Sequence, residues 1–249
     1  MADHAAMSPS SAEMWMNCPA SITRAAGRTR PSSRYAREGT AAHKIAEMII
    51  NGNLFPPPKI TVEGEEFIVG MPMLRALNPY IDLVQRLQSI ADDDADVYVE
   101  ARVGMGNGTM VWGTADCAAK VGWDLHIVDL KYGMGVPVSP DTAQLKIYAL
   151  AAIHTFWPFE RFRDVYLTVV QPRLNPVPQD HHMRATELAA WNDHFLIPAV
   201  RRVLDDSPLE QVGPWCRWCV RRDECDAFAK KKSTAAADIF DDGVDLFNP

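Results

Sequence analysis

Alternation of apolar and polar positions marks the strands of this chain. The clearest case is Leu125 to Lys131, where Leu125, Ile127, Asp129 and Lys131 share one side and His126, Val128 and Leu130 the other. Val97 to Val103 repeats the pattern, with Val97, Val99, Ala101 and Val103 on one face and Tyr98, Glu100 and Arg102 on the other. Gly104-Met-Gly-Asn-Gly108 follows with turn chemistry but no Gly-Lys-Ser/Thr, which predicts a hairpin connection rather than a nucleotide loop. Val165 to Val170 is continuously apolar and predicts a buried strand. Ile60 to Val69 predicts a short hairpin turning at Glu63-Gly64.

Helical spacing marks the other segments. Leu74, Leu77, Ile81, Val84 and Leu87 line one face of a helix that ends at the acidic run Asp92 to Asp96. Gly39-Thr40 is expected to cap a helix reaching Asn51-Gly52, with Ile45, Ile49 and Ile50 in the core and His43 and Glu47 on another face. Met14, Trp15 and Cys18 predict a short first helix ending at Pro19. Ser139-Pro-Asp-Thr reads as a helix start with serine as the cap, and that helix carries Gln144 and Tyr148 on one face. Thr186 opens a helix through Trp191 and Phe195 that Pro198 should kink.

Composition narrows the class. With 249 residues, 47% hydrophobic and 23% charged, the chain is an ordinary globule. It is expected to form a single domain over residues 1–229, with a flexible tail over 230–249. No apolar run is long enough to span a membrane, and Met1-Ala-Asp-His lacks the features of a signal peptide, so a cytoplasmic location in a host cell is expected. The net charge of -7 argues against a broadly basic nucleic-acid surface. Two basic clusters soften that objection: Arg24, Arg28, Arg30, Arg34 and Arg37, and then Arg217, Arg221, Arg222 and Lys230 to Lys232. Solvated faces are the alternative account of both.

The candidate chemistry sits where a strand pattern turns polar. Asp129 and Lys131 are same-face neighbours ending an apolar strand, and burying them is costly unless they pair or hold a metal. Asp116, on the preceding strand of a hairpin, supplies a second carboxylate. Two carboxylates from adjacent strands suit magnesium or manganese. Lys131 can then orient water and stabilise charge growing on a phosphate. Glu100 either approaches this cleft from the next strand or pairs with an arginine at an edge. Near the end, Cys216-x-x-Cys219-x5-Cys225 reads as a metal-ligand triplet. Cys18 is the best fourth ligand, since Cys117 lies inside the hairpin and reads as core.

Gly113-Thr-Ala-Asp116, Asp129-Leu-Lys131, Gln144 to Tyr148 and Gly39-Thr-x-x-His43 together resemble the PD-(D/E)XK nuclease superfamily in its RecB-like exonuclease branch. Ser8-Pro-Ser-Ser and Asn17-Cys-Pro resemble, more narrowly, a phage-borne RecB-like family catalogued as a domain of unknown function, over residues 8–228. The resemblance implies an α/β fold with a restriction-endonuclease-like core: a central mixed β-sheet flanked by helices, with N- and C-terminal helical segments joined by a metal cluster. It implies metal-dependent hydrolysis of DNA, by an exonuclease more than an endonuclease, in phage recombination or repair. His43, Asp116, Asp129 and the Leu130 carbonyl would hold magnesium or manganese, Lys131 would handle the water, and Gln144 and Tyr148 would position the strand. The cysteines Cys18, Cys216, Cys219 and Cys225 resemble the 4Fe-4S staple of AddB and of CRISPR-associated RecB-like exonucleases, with zinc as the alternative. A phage single-strand annealing protein or a helicase is an expected partner. The rival expectation is a DNA-binding or assembly protein that keeps the fold without useful turnover.

In the tail, Val244-Asp245-Leu246-Phe247 resembles the peptides that bind bacterial sliding clamps, with Gly243 where the leading glutamine is usual. Simple docking of the tail on the parent domain is the alternative.

Overall fold

The computed structural model describes residues 5–28, 31–91, 96–106, 110–158 and 161–241, with side chains as far as Ser233. The chain opens with helices α1 (Ala12–Asn17), α2 (Ala20–Ala25) and α3 (Arg34–Ile50), then strands β1 (Lys59–Val62) and β2 (Glu65–Ile68) and helix α4 (Met71–Ile90). Strands β3 (Val97–Gly104), β4 (Trp112–Val121) and β5 (Asp124–Leu130) follow, and helix α5 (Ala143–Phe156) leads to β6 (Asp164–Val170) and β7 (Gln179–Arg184). Helix α6 (Ala185–Trp191), a π-helical turn (Asn192–Leu196), α7 (Ile197–Val203), two 3-10 turns and α8 (Asp226–Asp241) complete it. The kink expected at Pro198 is this π turn, with the proline seated in the first turn of α7 where its missing N–H costs nothing.

Where the sequence suggests one domain, the chain forms two compact units: Met1–Ser10 with Pro31–Trp191, and Ser11–Arg30 with Asn192–Pro249. The first unit is built on a five-stranded sheet of order β3-β4-β5-β6-β7. Its β5 and β6 run parallel and the other neighbours antiparallel, so the sheet is mixed. Helix α5 is the crossover that a parallel pair requires. On one face α3 and α4 pack Ala42, Ile45, Leu77, Tyr80 and Val84 against Cys117, Val128, Leu130 and Val170. On the other, α5 packs Leu145, Tyr148, Ala149 and Ala152 against Ala118, Leu125, Ile127 and Leu167. Each fully buried leucine or isoleucine there contributes about 1.5–3 kcal/mol. The sheet is thus a helix-flanked α/β layer.

Two helix starts differ from the sequence reading. α3 begins at Arg34, capped by Ser33, whose Oγ accepts the Ala36 N–H at 3.2 Å, so Gly39 and Thr40 lie inside the helix. Thr40 does not cap; its hydroxyl donates back to the Ala36 carbonyl. α5 is capped by Thr142, which accepts from Leu145 N–H, while Ser139 accepts from Asp141 N–H in the turn before it.

The face assignment of β3 also changes. Val97 and Val99 pack on the α3–α4 side and Tyr98 on the α5 side, but Val103 packs on the α5 side as well. Alternation breaks at Glu100, a non-glycine residue at φ 46°. The ladder pairs Val99 with Cys117 and Ala101 with Ala115, with no pairing at Glu100 and Asp116 between them. Such a backbone costs of order 1–3 kcal/mol and collects at functional sites.

The second unit joins two segments far apart in sequence, Ser11–Arg30 and Asn192–Pro249. Ala20 N–H donates to the Leu209 carbonyl at 3.2 Å, and Arg202 Nη2 to the Met16 carbonyl at 2.9 Å. Residues 230–241, expected as part of a flexible tail, continue helix α8. Val244 to Phe247 lie outside the described residues.

Candidate metal centre

The carboxyl end of β5 carries Asp129 and Lys131, on one side as the alternation predicts. Asp129 is 2% exposed. Lys131 Nζ donates to its Oδ1 at 3.0 Å and lies 2.9 Å from Oδ2. Gln144, in the first turn of α5, donates through Nε2 to the same Oδ1 at 2.9 Å and accepts from Lys131 at 3.5 Å. Asp129 Oδ2 has the ion-pair contact but no aligned hydrogen bond among the described residues.

Asp116 and His43 meet the same strand end from β4 and α3. Leu130 N–H donates to Asp116 Oδ2 at 2.6 Å. His43 Nδ1 lies 2.8 Å from Glu100 Oε1 and 3.5 Å from Asp116 Oδ1, and Nε2 lies 3.0 Å from the Leu130 carbonyl oxygen. A neutral imidazole has a single N–H donor, and here both ring nitrogens face acceptors, an arrangement that favours the protonated ring. Burial opposes that charge, but Asp116 and Glu100 outweigh it and lift His43 to about 9. Burial, with the Asp129 and Glu100 charges, pushes the Asp116 carboxyl above its usual range against the pull of His43 and Lys131. Burial also opposes the charge on Lys131, yet Asp129 and Asp116 hold it above its ordinary value. Lys131 is therefore a donor at neutral pH.

His43, Glu100 and Asp116 each offer one ligand atom, all within 4.8 Å of one another. Their carboxylate and imidazole donors fit a hard divalent cation such as magnesium or manganese, whereas the Leu130 carbonyl faces the other ring nitrogen, Nε2. Charge agrees with the donor set, because three carboxylates including Asp129 face one ammonium, and an incoming cation would displace the extra proton from His43. Of the ligands expected from the sequence, His43, Asp116 and Leu130 come together here. Asp129 is engaged by Lys131 and Gln144, and Glu100 completes the compact group. Its only mark in the sequence was a carboxylate on the strand before Asp116.

Tyr148, one turn after Gln144, is hydrogen-bonded to it, and burial with the nearby Asp116 and Asp129 keeps the phenol protonated. Its ring lies against Gly113, where an added Cβ would stand 3.2 Å from Tyr148 Cε1 and 2.9 Å from Pro9 Cδ. That close approach explains why the first motif begins with glycine. Gln171 braces the loop after Lys131: its Oε1 accepts from Val138 N–H at 3.2 Å, and its Nε2 donates to the Gly133 and Val136 carbonyls at 3.2 Å. Sequence reasoning passed over Gln171, which lies one residue beyond an apolar strand.

In the second unit, Cys18, Cys216, Cys219 and Cys225 line one small cavity with Met14, Trp215 and Phe228. Gln211 N–H points at Cys18 Sγ at 3.4 Å and Gly213 N–H at Cys216 Sγ at 3.5 Å. Burial raises the Cys18 thiol above its usual value, and the neighbouring Cys216 and Cys219 add to that. Cys117 is fully buried in the first unit, as expected of a core residue.

The first basic cluster is largely engaged with acids, and the second only in part. Arg34 and Arg37 pair with Glu65 at 3.1 and 2.7 Å, Arg24 with Glu210 at 3.3 Å, and Arg28 with Glu224. Arg222 pairs with Asp223 at 3.1 Å, and Arg217 lies over the Trp218 ring. Arg30 lies outside the described residues. No helix among the described residues is long and apolar enough to cross a membrane.

A solved structure titled "Crystal structure of SSO0001" is similar over 88% of this chain and 85% of its own, at 13% identity and a TM-score of 0.35. The family model described as "Protein of unknown function (DUF2800)" matches residues 4–248, nearly the whole chain, and the chain belongs to that family.

Proposed function

We propose that this protein is a metal-dependent deoxyribonuclease of the PD-(D/E)XK, RecB-like kind, an exonuclease hydrolysing phosphodiester bonds. The observation that carries the reading is the convergence of Asp116, Asp129, Lys131 and Gln144, from three separate segments, with His43 and Glu100 at one end of a mixed sheet. A fold alone would not require this polar set. Held by His43, Glu100 and Asp116, a divalent cation would supply Lewis-acid charge and a water of lowered pKa. Lys131, as an ammonium, orients the attacking water and donates to phosphate oxygens as their charge grows. Gln144 fixes both Asp129 and Lys131, and Tyr148 presents a neutral phenol to the strand.

In the second unit, Cys18, Cys216, Cys219 and Cys225 would hold a four-iron cluster that ties the two ends of the chain together, with zinc as the rival. Iron, sulfide and zinc analysis of the purified protein decides between the two.

The net charge of -7 and the paired arginines favour a second reading, a nuclease-fold DNA-binding or assembly protein without turnover. Incubation with manganese or magnesium and end-labelled single- and double-stranded DNA separates the two. Products that shorten with time are expected. Binding of DNA without cleavage in either metal would leave the second reading standing.

A further inference from the structure

Three side-chain atoms of the second unit, Ser21 Oγ, Asn192 Oδ1 and Arg221 Nε, are buried without a hydrogen-bond partner among the described residues, and of these residues Ser21 lines the cavity that the four cysteines share. Its side chain is buried, at 6% exposure, and its Oγ has no hydrogen-bond partner among the described residues. An orphaned hydroxyl costs about 1–3 kcal/mol, so a native structure keeps one where something absent from the chain itself satisfies it. The surroundings say what that is. Ser21 lines the same cavity as Cys18, Cys216, Cys219 and Cys225, and the backbone N–H groups of Gln211 and Gly213 already point at two of those sulfurs. Donors converging on sulfur suit thiolates that carry negative charge, as metal-bound cysteines do, and a serine hydroxyl can supply one more donor.

We propose that Ser21 is a positioning residue of the cysteine site, whose hydroxyl donates a hydrogen bond to the sulfur-bound metal group filling this cavity. The inference rests on the cysteine-site reading above. It goes beyond it by assigning a residue that is not a ligand. The hydrogen bond stabilises the anionic group and slows its loss, as partners behind metal ligands commonly do. Without the group, the hydroxyl is a liability to the fold.

That opposition of signs supplies the test. Wild type, Ser21→Ala and Ser21→Thr are prepared as full chains and loaded anaerobically with ferrous iron and sulfide, or in parallel with zinc. Metal analysis and visible absorbance decide which group is held, and the rate of release to a chromogenic chelator is then followed. Ser21→Ala should release the group about tenfold faster, the weight of one hydrogen bond to a charged acceptor, and Ser21→Thr should restore retention. In the metal-free proteins, Ser21→Ala should unfold in urea at the same concentration as wild type or a higher one. Release at the wild-type rate would overturn the role of Ser21 while leaving the cysteine site intact. Equal destabilisation of loaded and metal-free Ser21→Ala would also overturn it, since the hydroxyl would then serve the fold. Failure of wild type to hold either metal would remove the cysteine site and this inference together.

Discussion

Replacing Gly113 by alanine places a methyl carbon 2.9 Å from Pro9 Cδ, 3.2 Å from Pro9 Cγ and 3.2 Å from Tyr148 Cε1. Carbon atoms rest at about 3.5–4.0 Å, so all three contacts are compressed. Neither neighbour is a flexible chain end. Pro9 is a buried, stiff ring, and Tyr148 is a buried aromatic ring bonded to Gln144. Relief must come from backbone shifts, and overpacking of this kind costs about 1–3 kcal/mol. Urea unfolding followed by circular dichroism measures the loss. Pro9→Ala removes both clashing proline carbons, so the double variant should recover part of the penalty, with a coupling of at least about 0.5 kcal/mol. A Gly113→Ala protein as stable as wild type, or a penalty that Pro9→Ala leaves untouched, would refute the packing argument.

Lys131→Ala should lower cleavage by about 10²–10³-fold while the fold persists, by analogy with removing one transition-state donor; wild-type cutting would count against the mechanism. Glu100→Gln should weaken manganese binding in calorimetry, because it removes a charge from the compact ligand group; unchanged affinity would return Glu100 to a purely structural role. The metal-free protein should lose stability as pH rises, because His43 titrates near 9 when folded against an ordinary 6.5. A raised pKa contributes stability that is full below 6.5 and lost as pH rises through about 9. Urea midpoints across that window, in the presence of a chelator, check the sign. Cys18→Ser should lose metal as completely as Cys216→Ser, whereas Cys117→Ser should keep it, which metal analysis reads directly.

Much of the first unit was legible because its strands obey simple periodicity. Leu125 to Lys131 alternates cleanly, and the structure puts Asp129 beside Lys131 as that pattern requires. The hairpin at Glu63-Gly64 was legible from turn chemistry, and both residues take positive φ. Glu100 was not assignable, because a single left-handed residue re-aims a side chain and reverses the faces beyond it, and residue type does not announce that. β7, with the sequence Gln-Asp-His-His-Met-Arg, carries no apolar pattern; as an edge strand it needs only one neighbour, and β6 supplies it. The caps were misplaced for different reasons: Ser139 and Thr142 both lie close to the start of α5 and local geometry chooses between them, whereas Gly39 inside α3 reads as a helix start although the helix already begins at Arg34.

The two-part make-up of the second unit imposes an order on synthesis. Trp191 ends the first unit, whereas Cys216, Cys219 and Cys225 emerge later and join a segment that left the ribosome near the beginning. At about 5–20 residues per second, the stretch from Trp191 to Cys225 takes roughly 2–7 s. Throughout that interval the segment carrying His43 and Lys131 can close on itself, while Trp15, fully buried in the finished protein, has no core to enter. A nascent chain paused there exposes its indole and a thiol to solvent. Translation speed over the codons for residues 192–225 therefore sets how long the chain must be shielded from aggregation and oxidation.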